Sequence, residues 1–321
     1  MKTLLIGLGV MGSNHLRVLK MLLPKNEILI YDKDKRKFYE NLRINKIKQS
    51  KDLNSLLNIS SKVIIATNTN SHIDLIKKCI KFDIKKIFVE KPLVKNLSES
   101  NQVINLVKKN KTKIYVGLIE RFNSNLLPIL DIIKNEKVIN LELKRTARVE
   151  NRNKDVDVIL DLMLHDIDIA IKFNGKIKKI MATGFIKDKI IEIASVNLVH
   201  QNKSLSRLYA SRITDKKIRQ LNVLTNKFYV ESDLLGREFS IYKDSNYYEK
   251  ARKLYKVSSH LEKIQSLQTE PLFLELNFFL NDKLENKNFS QSEFNEKYHH
   301  KLLKICDKIK KQIKDRKSTR L

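Results

Sequence analysis

Gly7, Gly9 and Gly12 set out the pattern G-x-G-x-x-G in a chain that holds only seven glycines. The pattern follows an apolar run at residues 3–6 and opens an apolar-periodic stretch that starts at Val10 and Met11. In that context such a turn holds a dinucleotide. Its first glycine turns the chain, the second admits a pyrophosphate and the third lets helix pack on strand. The helix amino terminus then presents N–H groups and a positive dipole end to the phosphates. Asp32 stands twenty residues beyond Gly12. A carboxylate there accepts the adenosine ribose hydroxyls and repels a 2′-phosphate, which argues for NAD over NADP. Lys33 and Arg36 pull the other way, since either can receive a phosphate, and an ordinary strand-end turn is the plain reading of Asp32.

Three further groups lie downstream. Residues 66–72 (Ala-Thr-Asn-Thr-Asn-Ser-His) leave a strand signal at its carboxyl end, where open α/β sheets bind ligands. Thr67 and Asn68 are therefore expected to line a cofactor crevice, with His72 a structural residue on the same side. A helix cap at Asn70 or Ser71 is compatible with both. Glu90-Lys91-Pro92 ends the next strand signal. A lysine there can hydrogen-bond a substrate hydroxyl and stabilise alkoxide character, although a strand-end lysine is often just solvated. Proline beside it fixes the turn and is the residue type that admits a cis bond. Asp161 and His165, four apart in a helical stretch, share one helix face. The carboxylate can orient the imidazole and raise its basicity, giving a base suited to neutral pH. Leu162, Leu164, Ile167, Ile169 and Ile171 make the stretch apolar nearly all round, so these polar groups and Asp168 belong in a protected setting. Two ligands without a third make a weak metal site, and no metal is expected.

The elements that must position these residues alternate over residues 1–118. Strand signals at 2–6, 27–31, 63–67, 86–90 and 113–117 are separated by helical patterns at 10–23, 35–43, 52–57, 71–82 and 97–109. That alternation predicts a doubly wound parallel sheet. Residues 119–134 read as a helical connection. Residues 138–149 are strand-like, 158–173 helical, and 177–248 carry repeated strand signals. The expectation is an α/β chain with a second α/β domain over 119–321, built on an open, mostly antiparallel sheet. Residues 250–269 read as a polar connection, 271–280 and 291–313 as helices. The last has Leu302, Ile305, Cys306, Ile309 and Ile313 along one stripe, which is expected to dock back onto a domain rather than touch a membrane.

The net charge is +28, with 64 Lys and Arg against 36 Asp and Glu. The lysines are spread over nearly every segment, a global bias that favours solvated faces over a nucleic-acid or membrane surface. Such a field still attracts a polyanionic cofactor. Two cysteines far apart, no redox spacing and no long apolar run point to a reduced cytoplasmic protein.

The glycine fingerprint, Glu90-Lys91-Pro92 and Asp161-x-x-x-His165, in this order, resemble the Gfo/Idh/MocA family of NAD(P)-dependent oxidoreductases. The resemblance takes in nearly the whole chain, including Glu120-Arg-Phe-Asn at 120–123 and Glu-Pro-Leu-Phe-Leu-Glu at 270–275. It implies a Rossmann domain, then an α/β domain whose open sheet often mediates homo-oligomers. It also implies that Lys91 positions substrate, His165 is acid and base, and Asp161 assists it. Residues 7–19, 116–123, 155–168 and 210–221 are similar to the UDP-N-acetylglucosamine 3-dehydrogenase branch, which oxidises a sugar 3-hydroxyl. A nucleotide-sugar diphosphate needs cations, and Arg145, Arg148 and Arg152 are the candidates, with Arg121 a further substrate-binding residue. Inositols or other polyols are the alternative substrates, and a non-catalytic dinucleotide-binding protein the alternative class. The family often has proline where Asn68 stands, and 147–153 lacks the proline-rich substrate loop of that branch.

Overall fold

The computed structural model describes all residues except 1, 46, 48, 149–155, 245–258, 268, 285–286 and 316–321. The chain forms two compact units, one of residues 1–119 with 271–304, the other of 120–270 with 305–321. The sequence reading left 271–321 with the second domain. Residues 271–304 instead fold into the first, because their aromatic side chains complete its core.

The first unit begins β1 (Thr3–Ile6), α1 (Val10–Leu22), β2 (Ile28–Tyr31), α2 (Lys35–Asn45), α3 (Leu53–Asn58), β3 (Lys62–Ile65), α4 (His72–Lys81), β4 (Lys86–Val89), α5 (Leu97–Asn110) and β5 (Lys113–Val116). Its sheet is parallel, in the order β2-β1-β3-β4-β5. The order reverses direction at β1 and β3, the switch point where ligands bind outside the carboxyl strand ends. The strands read as short apolar runs because both faces are covered; Leu4, Leu5, Ile30, Ile64, Ile65, Ile87 and Val89 are wholly buried or nearly so. Asp52 starts α3 by accepting from the Ser55 N–H at 2.8 Å, and Asn96 starts α5 by accepting from Glu99 N–H at 2.9 Å.

The second unit holds α6 (Leu126–Ile132), β6 (Val138–Arg148), α7 (Leu164–Asn174), β7 (Ile177–Lys187), β8 (Ile190–His200), β9 (Leu205–Ser211), β10 (Ile213–Thr225), β11 (Phe228–Asp233), β12 (Glu238–Asp244) and β13 (Ser259–Gln265). They make one eight-stranded sheet, β13-β12-β11-β10-β6-β9-β8-β7, antiparallel except for the β6–β9 pair. β13 falls where the sequence suggested only a polar connection. It pairs with β12 from Glu238 opposite Gln265 to Asp244 opposite Ser259. As an edge strand with Leu261 exposed it lacks the buried apolar face that would announce it.

Two helices close the chain. α8 (Pro271–Asn281) sets Phe279 edge-on to Phe88, with ring centres 5.5 Å apart, and Phe278 edge-on to Tyr115 at 5.5 Å. α9 (Glu296–Asp315) belongs to the first unit up to Lys304 and to the second from Ile305. Its stripe is buried at Leu302, Cys306, Ile309 and Ile313 and half-buried at Ile305. Within the second unit Gln312 caps the edge strand β7: its side chain accepts from Ala182 N–H and donates to the Ile180 carbonyl, each at 3.0 Å. No helix among the described residues is long and apolar enough to cross a membrane. Cys79 and Cys306 are free and buried, and burial pushes both thiols up to about 12, which leaves them inert near neutral pH.

Candidate cofactor and catalytic sites

The glycine turn is built by close approach. Gly7 takes φ +100°, a conformation side chains rarely adopt. A Cβ on Gly7 would lie 2.6 Å from the Ala66 carbonyl oxygen, and one on Gly12 would lie 1.9 Å from the Gly7 carbonyl oxygen. Strand, turn and helix are thus pressed together at both positions. At Gly9 a Cβ would meet nothing within 4 Å. Space is left open there, at the first residue of the α1 amino terminus. No side chain caps that terminus, no acidic residue sits in its first turn, and Val10 and Met11 are exposed. Open space beside uncapped N–H groups fits a pyrophosphate. A sharp expectation follows for the two glycines. Gly12→Ala destabilises the fold by about 2–3 kcal/mol or more, whereas Gly9→Ala folds normally and weakens dinucleotide affinity at least tenfold. Urea unfolding and calorimetric titration with NAD+ separate the two effects; equal folding losses for both would contradict it.

The surrounding candidates sit at the carboxyl ends of β2, β3 and β4. Asp32 accepts from Leu8 N–H at 2.6 Å and from Asp34 N–H at 2.9 Å, so its carboxylate braces the glycine turn. Arg36 is exposed in the first turn of α2. The Thr67 hydroxyl accepts from Ser71 at 2.8 Å, and Asn68 is exposed. His72 is 1% exposed, with Nε2 facing the Thr67 carbonyl at 3.0 Å and Nδ1 facing the Pro92 and Leu93 carbonyls at 3.1 and 3.2 Å. A ring enclosed in that way reaches a ligand only through the loops it holds, and burial pushes its pKa down.

Glu90 and Lys91 follow β4. The Lys91–Pro92 peptide is cis. Glu90 Oε1 lies 2.6 Å from His15 Nε2, and Glu90 Oε2 accepts from Lys91 N–H at 3.3 Å. Burial alone would raise the Glu90 carboxyl, but the His15 hydrogen bond and the nearby Lys91 charge hold it below its usual value. A Cβ on Gly117 would stand 3.2 Å from Glu90 Oε2 and 3.0 Å from the Phe88 ring, so glycine makes room for this pair.

In the second unit Asp161 and His165 lie at the start of a buried helix. Asp157 begins it, its Oδ1 accepting from Ile159 and Leu160 N–H at 3.1 Å each. The first turn, Ile159–Met163, is π-helical and runs into α7; wide turns of this kind gather at functional sites. Asp161 and His165 are each 6% exposed. Arg212 approaches Asp161 at 3.7 Å, clasps Glu192 through Nε at 3.0 Å and Nη2 at 3.1 Å, and donates to the Val156 carbonyl at 2.6 Å. Sequence reasoning did not single out Arg212; its partners come from distant segments. Among the described residues no three His, Cys, Asp or Glu side chains gather as a metal site.

The arginines divide. Arg121 grips Asp168 with two hydrogen bonds, 2.7 and 2.6 Å, both partners buried. Arg145 is held between Asp166, at 2.9 Å from Nε, and Glu120, at 2.9 Å from Nη1, which Arg219 also reaches at 2.9 Å. Both arginines were expected to bind substrate, Arg145 through its diphosphate. Each is instead enclosed by carboxylates that a phosphate would have to displace, and removing one partner of such a pair strands a buried charge. Arg148 is exposed and pairs with solvent-facing Asp215 at 2.7 Å. Arg152 lies outside the described residues.

Known proteins resemble this chain in sequence and in fold. Residues 1–118 match the model of Gfo/Idh/MocA, the oxidoreductase family with an NAD-binding Rossmann fold. The UDP-N-acetylglucosamine 3-dehydrogenase of Acidithiobacillus ferrooxidans is 23% identical over 248 residues, 75% of this chain and 77% of that protein. A solved structure of that enzyme superposes with a TM-score of 0.83 at 20% identity, covering 98% of both chains. The myo-inositol 2-dehydrogenase of Thermotoga maritima is 27% identical over 198 residues, 56% of this chain and 57% of that one. An oxidoreductase from Agrobacterium radiobacter, solved with NAD+, L-tartaric acid and magnesium, has a TM-score of 0.77 at 15% identity, covering 98% of this chain and 96% of that one. The glycine turn and the switch-point sheet lie within residues 1–118, the part of the chain that matches the Gfo/Idh/MocA family of NAD-binding oxidoreductases.

Proposed function

We propose that this oxidoreductase converts a secondary hydroxyl of a sugar to a ketone, with NAD as the redox partner and a nucleotide sugar such as UDP-N-acetylglucosamine, at its 3-position, as the substrate. The observation that carries the reading is the placing of Lys91 directly after Glu90, at the carboxyl end of β4, where Glu90 meets His15 of the helix that the glycine turn opens. The nicotinamide, when bound, supplies the acceptor for the hydride that leaves the sugar carbon. The protein supplies the rest. Gly7, Gly9 and Gly12 with the N–H groups of Val10 and Met11 take the pyrophosphate, Asp32 the ribose hydroxyls, and Thr67 and Asn68 the neighbouring wall. The Lys91 ammonium donates a hydrogen bond to the substrate oxygen and favours its alkoxide character. His165 Nε2 takes the hydroxyl proton, and Asp161, steadied by Arg212, favours the imidazolium that results. Arg148 is the cation assigned to a substrate phosphate.

NAD rather than NADP is supported by the Asp32 carboxylate, whose charge opposes a 2′-phosphate. The relatives named above support a sugar or cyclitol, and the first of them supports a nucleotide sugar. The test is a panel of UDP-sugars and inositols with NAD+ and NADP+ in parallel, read as reduced cofactor formed. Turnover of UDP-N-acetylglucosamine with NAD+ is expected. Turnover of an inositol alone would replace the substrate and keep the reaction; no turnover across the panel would favour a dinucleotide-binding protein without this chemistry.

The same reading assigns self-association to the second unit's sheet. Arg145 reaches Asp166 of α7, so the alternate residues Glu142 and Lys144 face the other way. Glu142 lies 3.5 Å from Arg207, Lys144 sits 6.0 Å above the Tyr209 ring, and the Tyr229 and Tyr242 rings are 6.0 Å apart. That mixed polar and aromatic face suits a second copy. Light scattering on the eluting protein should give a multiple of 37.7 kDa; a monomer at micromolar concentration would contradict it.

A further inference from the structure

Three buried histidines surround the four residues Glu90–Leu93. His15 from α1 meets Glu90, His72 from α4 faces the Pro92 and Leu93 carbonyls, and His299 from α9 accepts the Leu93 N–H at 3.3 Å. None is more than 1% exposed. Three of the chain's seven histidines thus surround one short segment. Of these, His15 differs in touching a side chain rather than the main chain, and in lying on the helix that the glycine turn opens.

We propose that His15 is a positioning residue for Lys91: its hydrogen bond to Glu90 couples the dinucleotide-binding helix to the segment that carries the lysine. This inference rests on the reading of Lys91 given above. The geometry is a short chain of contacts within the first unit. Gly12 seats α1 against the Gly7 carbonyl, and His15 follows one helical turn later on the same buried face. Its Nε2 donates to Glu90 Oε1 at 2.6 Å, while Oε2 of the same carboxylate accepts from Lys91 N–H at 3.3 Å. One carboxylate therefore spans the helix and the Lys91 main chain. The His15 ring is itself held edge-on to Phe88, with ring centres 5.4 Å apart, and Phe88 meets Phe279 edge-on in turn. His15 Nδ1 is buried and has no hydrogen-bond partner among the described residues. The ring's single polar contact there is Glu90, so packing alone does not account for a histidine in a stripe otherwise formed by Gly12, Leu16, Val18 and Leu19.

The charge of Glu90 follows from the same contacts. Burial disfavours its carboxylate, and His15 supplies the hydrogen bond that reverses the balance. Without His15 the carboxyl becomes easier to protonate, its hold on Lys91 N–H weakens, and the negative charge beside the lysine is lost at a higher pH. A displaced lysine lowers turnover although it never leaves the protein.

The test compares wild type, His15→Ala and His15→Gln, the last retaining an N–H donor at similar reach. In His15→Ala, kcat is expected to fall about ten- to a hundredfold, with the dissociation constant of NAD+ within about threefold of wild type. The acid limb of kcat/KM moves to higher pH. His15→Gln recovers most of both. A second readout needs no turnover: the carboxyl carbon resonance of Glu90 in the unliganded protein should titrate below the usual carboxylate range in wild type and above it in His15→Ala. An unchanged acid limb and an unchanged Glu90 titration in His15→Ala would overturn the proposal. If His15→Ala fails to fold, His15→Gln and the wild-type titration decide it. If wild type turns over no member of the sugar panel, the functional reading fails, and the Glu90 titration still tests the His15 contact.

Discussion

Replacing Lys91 or His165 by alanine lowers kcat by about a hundredfold to ten-thousandfold, while NAD+ still binds with near wild-type affinity. Lys91 is assigned a hydrogen bond to the reacting oxygen and His165 the proton that leaves it, so each acts at one step on one atom. Neither belongs to the glycine turn, which is why cofactor affinity is spared. The double variant should be little slower than the slower single one, because groups that serve one proton transfer are far from additive. Steady-state kinetics with calorimetric NAD+ binding measures all four proteins. Full activity in either single variant would remove that residue from the mechanism. Strictly multiplicative losses would separate the two residues into independent roles.

The second large effect is on stability in acid. Burial pushes the His299 imidazole from about 6.5 down to about 3, with the neighbouring His72 and His300 adding to the shift. A folded-state pKa below the unfolded one means that the unfolded chain binds the extra proton first. The contribution is whole above about pH 6.5 and drains away as pH falls toward 3. Between about pH 7 and pH 4 the loss from this one group is on the order of 3 kcal/mol. The structural reason is visible at Leu93, whose N–H donates to His299 Nε2. A protonated ring cannot accept that bond. His299→Gln keeps an acceptor and cannot titrate, so its stability should depend less steeply on acid than wild type. Urea unfolding at several pH values reads the slopes; equal slopes would show that His299 is not the group responsible.

The first unit's sheet was legible because its strands are buried on both faces and interrupted by helices, two of which, α3 and α5, open on the side-chain caps Asp52 and Asn96. The expected 2–6, 27–31, 63–67, 86–90 and 113–117 differ from the observed strands by one or two residues at most at each end. Gly7 and Gly12 were legible for a related reason, since a chain poor in glycine keeps it where a Cβ cannot go, and Gly9 completes the pattern at a position that leaves space open. In the second unit the strand expected at 138–149 and the helix expected at 158–173 match β6 and the stretch 159–174, whereas the later strands were legible only as a class. β13 hid in a charged stretch because an edge strand needs no apolar face. The wide turn at Ile159–Met163 has no sequence signature that separates it from the α-helix it opens.

Charged residues were the hardest to place. Arg121 and Arg145 look like ligand cations in a basic sequence, yet their carboxylate partners are Asp168, Asp166 and Glu120, brought in from 21 to 47 residues away. Only tertiary pairing distinguishes a buried structural arginine from one that awaits a phosphate. His15 is the opposite case, because a signal was present. A histidine three residues after Gly12, on an apolar helix face, requires a partner, and Glu90 of the Glu-Lys-Pro segment is that partner.

In the proposed reaction electrons leave a sugar carbon as a hydride while the protein removes the hydroxyl proton. Incubation of the enzyme with NAD+ and UDP-N-acetylglucosamine bearing deuterium at C3 tests it directly, with mass spectrometry of the cofactor. Reduced cofactor heavier by one deuterium is expected, together with a 3-keto sugar that has lost it. A ketone formed while the deuterium appears only in water, or a sugar consumed with no reduction of the cofactor, would contradict it.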